Sequence, residues 1–103
     1  MEQIEKKVYL ANLYEYYSLL LTDKQKDIFK SYYLLDYSLG EISTELGVSR
    51  NAIHDTLKNV EKSLIEYEEK LKLFEKAVKK EELYKKYESS DTKELIEKLK
   101  EID

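Results

Sequence analysis

Apolar residues recur every three or four positions through most of this chain, which is the period of an amphipathic helix. Start signals precede each run. Thr22-Asp23-Lys24-Gln25 and Ser38-Leu39-Gly40-Glu41 have the form of capping boxes, a hydroxyl residue followed three positions later by Gln or Glu. Ser49 is a third N-cap, and Asp91 with Glu94 a looser fourth. Tyr37 with Ile42, and Val48 with Ile53, stand at hydrophobic-staple positions. These signals predict helices over residues 3–20, 23–36, 39–46, 50–88 and 92–102, with 88–91 as a linker.

The faces differ in kind. The first helix is apolar on two sides, Ile4, Val8 and Ala11 on one and Leu10, Leu13, Tyr17 and Leu20 on another, so it is expected to pack against two neighbours. The second should bury Ile28, Phe29, Tyr32 and Leu35, and the short third Leu39, Ile42 and Leu46. In the fourth, Leu57, Val60, Leu64, Tyr67, Leu71, Phe74 and Val78 step alternately by three and four, a heptad stripe that ends where Glu81 and Lys85 would follow. An unbroken helix over 50–88 would be about 57 Å long at a rise of about 1.5 Å per residue. Such a seam needs a partner along it, because helix propensity does not hold an apolar stripe in water. The partner is either a second copy of the chain, meeting Leu64, Tyr67, Leu71, Phe74 and Val78, or an internal helix, the first or the last. A homodimer is the expectation. Residues 1–64 then form the core with its N-terminal helix, and 65–103 a helical extension.

Composition adjusts this picture. Proline is absent and glycine occurs twice in 103 residues, which suits long helices and an all-α fold. No cysteine is present, so disulfides and thiolate chemistry are excluded, and a single histidine leaves no ligand set for zinc. No metal or cofactor is expected. No apolar run approaches a membrane span and no signal peptide opens the chain, so a cytoplasmic protein is expected. The formal charge is −4, from 18 basic and 22 acidic residues. Nucleic-acid binders draw most of their affinity from neutralising phosphates, and this balance is poor footing for tight autonomous binding.

One stretch nonetheless has the spacing of a helix-turn-helix: "GEISTELGVSRNAIHDTLKNVEKSL", residues 40–64. Ile42, Leu46, Val48 and Ile53 fill its apolar positions, Gly47 stands where the turn needs a positive φ, and Ser43 occupies the close helix crossing. Outward on the second helix come Ser49, Arg50, Asn51, His54, Asp55 and Lys58. Arg forks onto guanine and Asn onto adenine, while Lys58 and Lys62 suit phosphates. Asp55 opposes them. A solvated three-helix scaffold is the plainer alternative.

Residues 21–64 resemble region four of bacterial sigma factors, through Leu21-Thr22, Gln25, Ile28-Phe29, Tyr37-Ser38, Glu41-Ile42 and Leu46-Gly47-Val48-Ser49-Arg50. Over nearly its whole length the chain is similar to the YlxM family of small bacterial proteins, through "ANLYEYYSLLLTDKQ", "YYLLDYSLGEIS" and "VSRNAIHDTLK". That resemblance implies a helix-turn-helix followed by a long acidic C-terminal helix, and a role in the signal recognition particle pathway, acting through the particle's RNA.

Catalysis finds little support. His54 and Asp55 point about 100° apart around a helix, and the many glutamates alternate with lysines on solvated faces. Ten tyrosines, six of them between Tyr14 and Tyr37, suit half-buried helix faces better than base stacking. Tyr84 and Tyr87 fall where a helix interface would end. The expected function is therefore a non-enzymatic regulatory or accessory protein. It contacts structured RNA or DNA weakly through Ser49, Arg50, Asn51, His54 and Lys58. The alternatives are a DNA-binding transcriptional regulator and a protein-interaction module using the helix-turn-helix as scaffold.

Overall fold

The computed structural model describes residues 3–88 and 92–102. Among the described residues there are six α-helices and no strand: α1 Gln3–Tyr17, α2 Asp23–Phe29, α3 Leu39–Leu46, α4 Arg50–Leu71, α5 Leu73–Lys86 and α6 Thr92–Ile102. A 3₁₀ turn, Ser18–Leu20, follows α1, and a π-turn, Lys30–Leu34, ends α2. The proposed Asp91 cap lies outside the described residues, as does most of the 88–91 linker.

Local chemistry starts the helices as the sequence predicts. Thr22 Oγ1 accepts from the Gln25 amide at 3.1 Å while Gln25 Oε1 accepts from the Thr22 amide at 2.9 Å. Ser38 and Glu41 make the same reciprocal pair, both at 3.1 Å. Ser49 Oγ caps α4 by accepting from the Ala52 amide.

Two clusters form a continuous core. Ile28, Ile42, Ile53 and Leu57 join α2, α3 and α4 under Leu39 and Val48. Leu10, Leu13, Tyr17, Phe29, Val60 and Leu64 join α1 to α2 and α4. Aromatic rings tie this second cluster: Tyr14 stacks on Phe29 at 4.6 Å between centroids, and Phe29 on Tyr33 at 4.5 Å. The tyrosines of α1 and the π-turn are thus mainly packing groups.

Several expectations need correction. Ile4 and Val8 are exposed, because α4, α5 and the π-turn cover only the Leu10–Leu13–Tyr17 side of α1. Leu20 is exposed in the 3₁₀ turn. Leu35 is exposed because the π-turn closes Leu35 N–H onto Lys30 O, inserting a residue and rotating Leu34 and Leu35 off the core. Leu46, at the end of α3, is half exposed.

The largest departure is in the long helix. It ends at Leu71, and α5 begins at Leu73 after Lys72 takes a left-handed backbone, φ 55°. Two side chains hold the bend, Glu68 from the preceding turn and Tyr17 from α1. Glu68, buried, receives the Tyr17 hydroxyl on Oε1 at 2.6 Å and the Phe74 amide on the same atom at 3.1 Å, and its Oε2 receives the Glu75 amide at 3.0 Å. Tyr17 Oη accepts from the Leu73 amide at 3.0 Å, and Lys76 N–H reaches Lys72 O at 2.9 Å. All four amides that open α5 are thereby satisfied. Burial, and next the hydrogen bond to Glu68, push the Tyr17 hydroxyl up to about 12.

The heptad stripe is largely consumed within one chain. Leu57, Val60 and Leu64 are buried in the two clusters, so Leu64 has no surface to offer a second copy. Tyr67 packs against Tyr17 at 5.9 Å, and Phe74 against Tyr9 at 5.9 Å and Tyr16 at 6.0 Å. Only Leu71 and Val78 stay open, at 47% and 41% exposure. At the far end α6 packs on α5, where Tyr87 is buried and donates to Glu94 Oε1 at 2.9 Å.

Candidate nucleic-acid interface

The two helices of the motif are α3 and the first turns of α4, and the turn between them is built by two small residues. Gly47 sits at φ 70°, a conformation that costs a residue with a Cβ roughly 1–2 kcal/mol. Ser43 donates its hydroxyl to the Val48 carbonyl, stitching α3 to the turn from the position where the helices cross. Ile42, Ile53 and Leu57 lock the pair from beneath.

This packing fixes which side of α4 meets solvent. Ile53, Leu57, Val60 and Leu64 face inward, so Ser49, Arg50, Asn51, His54, Asp55 and Lys58 are all exposed, as the spacing predicts. Arg50, His54 and Lys58 of that set, with Lys62 one step beyond it, are spaced by four, forming one row along the helix surface. Asn51, Asp55 and Asn59 make the adjacent row. The first row is cationic and the second is neutral to acidic.

Each member of the basic row has a distinct setting. Arg50 lies back across α3, its guanidinium so close to Gly40 that a Cβ there would stand 2.7 Å from a terminal nitrogen. It borders a shallow hollow of about 610 Å³ with Tyr37, Glu41, Thr44 and Glu45. His54 and Lys58 instead border a smaller cleft of about 190 Å³, shared with Lys6 and Lys7 of α1 and Tyr32 of the π-turn. Lys62 lies 4.0 Å from Glu66. Asp55 does approach the neighbouring imidazole, Oδ1 to Nδ1 at 3.8 Å, with both side chains mostly in solvent. That is beyond hydrogen-bond reach. Ser49 spends its oxygen on the Ala52 amide, so its part is to cap α4.

Lys6 and Lys7 are functional candidates that spacing within the motif does not reveal. They reach the recognition helix because α1 crosses α4, bringing together residues about fifty apart in sequence. Among the described residues no cluster of His, Cys, Asp and Glu is placed to hold a metal ion, and no helix is long and apolar enough to cross a membrane.

Residues 4–102 match the family model described as "Putative helix-turn-helix protein, YlxM / p13 like", UPF0122. The chain belongs to the UPF0122 family. Similar members include a UPF0122 protein of Lactococcus lactis subsp. cremoris strain MG1363, 48% identical over 104 residues, covering 97% of this chain and 92% of that one. A UPF0122 protein of Bacillus pumilus is 44% identical over 108 residues, covering 97% and 98%. One from Caldanaerobacter subterraneus is 52% identical over 81 residues, covering 79% and 67%. The UPF0122 description names a helix-turn-helix and no reaction, in keeping with the geometry around Gly47.

Proposed function

We propose that this chain is a non-enzymatic, nucleic-acid-associated regulatory or accessory protein. The observation that carries the reading is the row Arg50, His54, Lys58 and Lys62 on the exposed side of a helix-turn-helix second helix. In this reading Arg50 and Asn51, at the start of α4, meet base edges, and Lys58 and Lys62 meet phosphates. Local charge then counts for more than the formal −4, because screening confines exposed charges to roughly 10 Å at ordinary salt. The resemblance to YlxM makes the RNA of the signal recognition particle the first RNA to try. Useful affinity comes from two faces acting together. A second copy would sit on Leu71 and Val78, the members of the stripe left open.

The test is salt dependence. Binding of labelled duplex DNA and of labelled hairpin RNA should weaken steeply with salt; Lys58→Ala should lower the log–log slope by about one, and Arg50→Ala should cost about 1–3 kcal/mol of binding and relax sequence preference. DNA-only binding would favour a transcriptional regulator. The scaffold reading has its own support in Glu41, Glu45 and Asp55 around the same helices. Binding of neither probe, with a protein partner retained through high salt in both variants, would establish it instead.

A further inference from the structure

The cleft between α1 and α4 takes in two members of the basic row, His54 and Lys58, and extends beyond the helix-turn-helix to α1. Four basic side chains from two elements border it: Lys6 and Lys7 from α1, His54 and Lys58 from α4. Opposing them are Glu61 and Asp36. Glu61 is buried and grips Lys6, Nζ to Oε1 at 3.3 Å, so this carboxylate fixes one wall rather than filling the opening. Burial, and next a hydrogen bond to this carboxylate, raise the Tyr33 pKa. Asp36 touches Lys7 only at 4.0 Å, with 94% of its side chain in solvent. Lys7 is held over the opening by the Tyr32 ring, its Nζ 4.9 Å from the centroid. Lys58 has no ion pair among the described residues.

An arrangement of this kind fits a small anion. Two lysines are weakly neutralised, a third is anchored, and the ring face that could stack a base is already covered by Lys7. At about 190 Å³ the cleft is below the roughly 300–1,000 Å³ of sites that enclose whole small molecules. A nucleoside does not fit; a phosphate group does. Resting on the nucleic-acid reading above, we infer that this cleft seats one backbone phosphate of the bound strand. The N-terminal half of α1 is then a second clamp, setting the orientation of α4 from outside the helix-turn-helix.

Shared occupancy of a single phosphate has a measurable signature. Lys7→Gln and Lys58→Gln are made singly and together, sparing the Lys6–Glu61 pair on which packing depends. They are titrated against whichever labelled probe, duplex DNA or hairpin RNA, the unaltered chain binds more tightly. Lys7→Gln should weaken binding about five- to eightfold at 0.1 M salt, the counterion-release worth of one phosphate. The double variant should lower the slope by about 0.7–0.9 in all, not by twice that. A double loss would mean two separate phosphates and overturns the inference. So does wild-type affinity in Lys7→Gln while Arg50→Ala still weakens binding, an outcome that leaves the wider reading intact. If the unaltered chain binds neither probe, both fail together. Inorganic phosphate, followed by NMR, is the remaining arm. If Lys7→Gln abolishes its binding yet keeps full nucleic-acid affinity, the cleft belongs to a free anion and the inference is overturned.

Discussion

The Tyr17 hydroxyl donates to a buried carboxylate and accepts from a backbone amide, so its protonation state is coupled to the bend at Lys72. Its pKa is raised from 10.0 to about 12, so the neutral form is the one the fold favours. This stabilisation is fully present below pH 10 and is lost as pH rises through about 12. Urea unfolding followed in steps across that window should show a decline that Tyr17→Phe makes shallower. At neutral pH the same substitution should cost about 1–3 kcal/mol, because Glu68 and the Leu73 amide each lose a partner in a dry site. Gly40 gives a second test. Alanine there is the better helix former by roughly 1 kcal/mol, but its Cβ would push the Arg50 guanidinium off α3. Gly40→Ala should keep or raise thermal stability while changing nucleic-acid affinity, and an unchanged affinity would show that the resting position of Arg50 is irrelevant.

The elements differ in how far their causes lie along the chain. Helix starts at Thr22, Ser38 and Ser49 are legible in the sequence because each cap closes over three residues. Gly47 is legible because its backbone conformation demands it. The exposure of Arg50, Asn51, His54 and Lys58 follows from spacing once Ile53 and Leu57 are placed in the core. The break at Lys72 is not legible, since neither glycine nor proline marks it and its decisive contact joins Tyr17 to a residue 51 positions away. The heptad stripe shows that Leu57, Val60 and Leu64 are buried without showing that their own chain buries them. Lys6 and Lys7 depend on the crossing of α1 over α4, which no local pattern encodes. Two substitutions probe the bend. Lys72→Gly removes the left-handed cost of about 1–2 kcal/mol and adds about 0.5–1 kcal/mol of chain entropy, so stability should rise slightly. Glu68→Ala should lower it by about 1–3 kcal/mol by stranding the Phe74 and Glu75 amides, as chemical denaturation would measure.

The whole molecule is elongated, 57 × 23 × 22 Å, with a radius of gyration of 17.7 Å against about 13 Å for a compact domain of this length. The helix-turn-helix occupies one end, and the α5–α6 pair forms an arm at the other. Small-angle scattering of a single copy should return a value near 17.7 Å, and light scattering should show whether Val78→Glu lowers the mass of any paired species. The arm's direction rests on α1, because Tyr17 supplies the hydroxyl that holds the start of α5. A synthetic peptide from Arg50 to Lys86 has no such hydroxyl. Freed of it, with only Glu68 left to cap the bend, Lys72 should revert to the right-handed backbone its neighbours prefer, and the two helices should fuse into a straight rod whose apolar stripe faces water. Such a peptide would associate with itself through the very residues that the intact chain keeps covered.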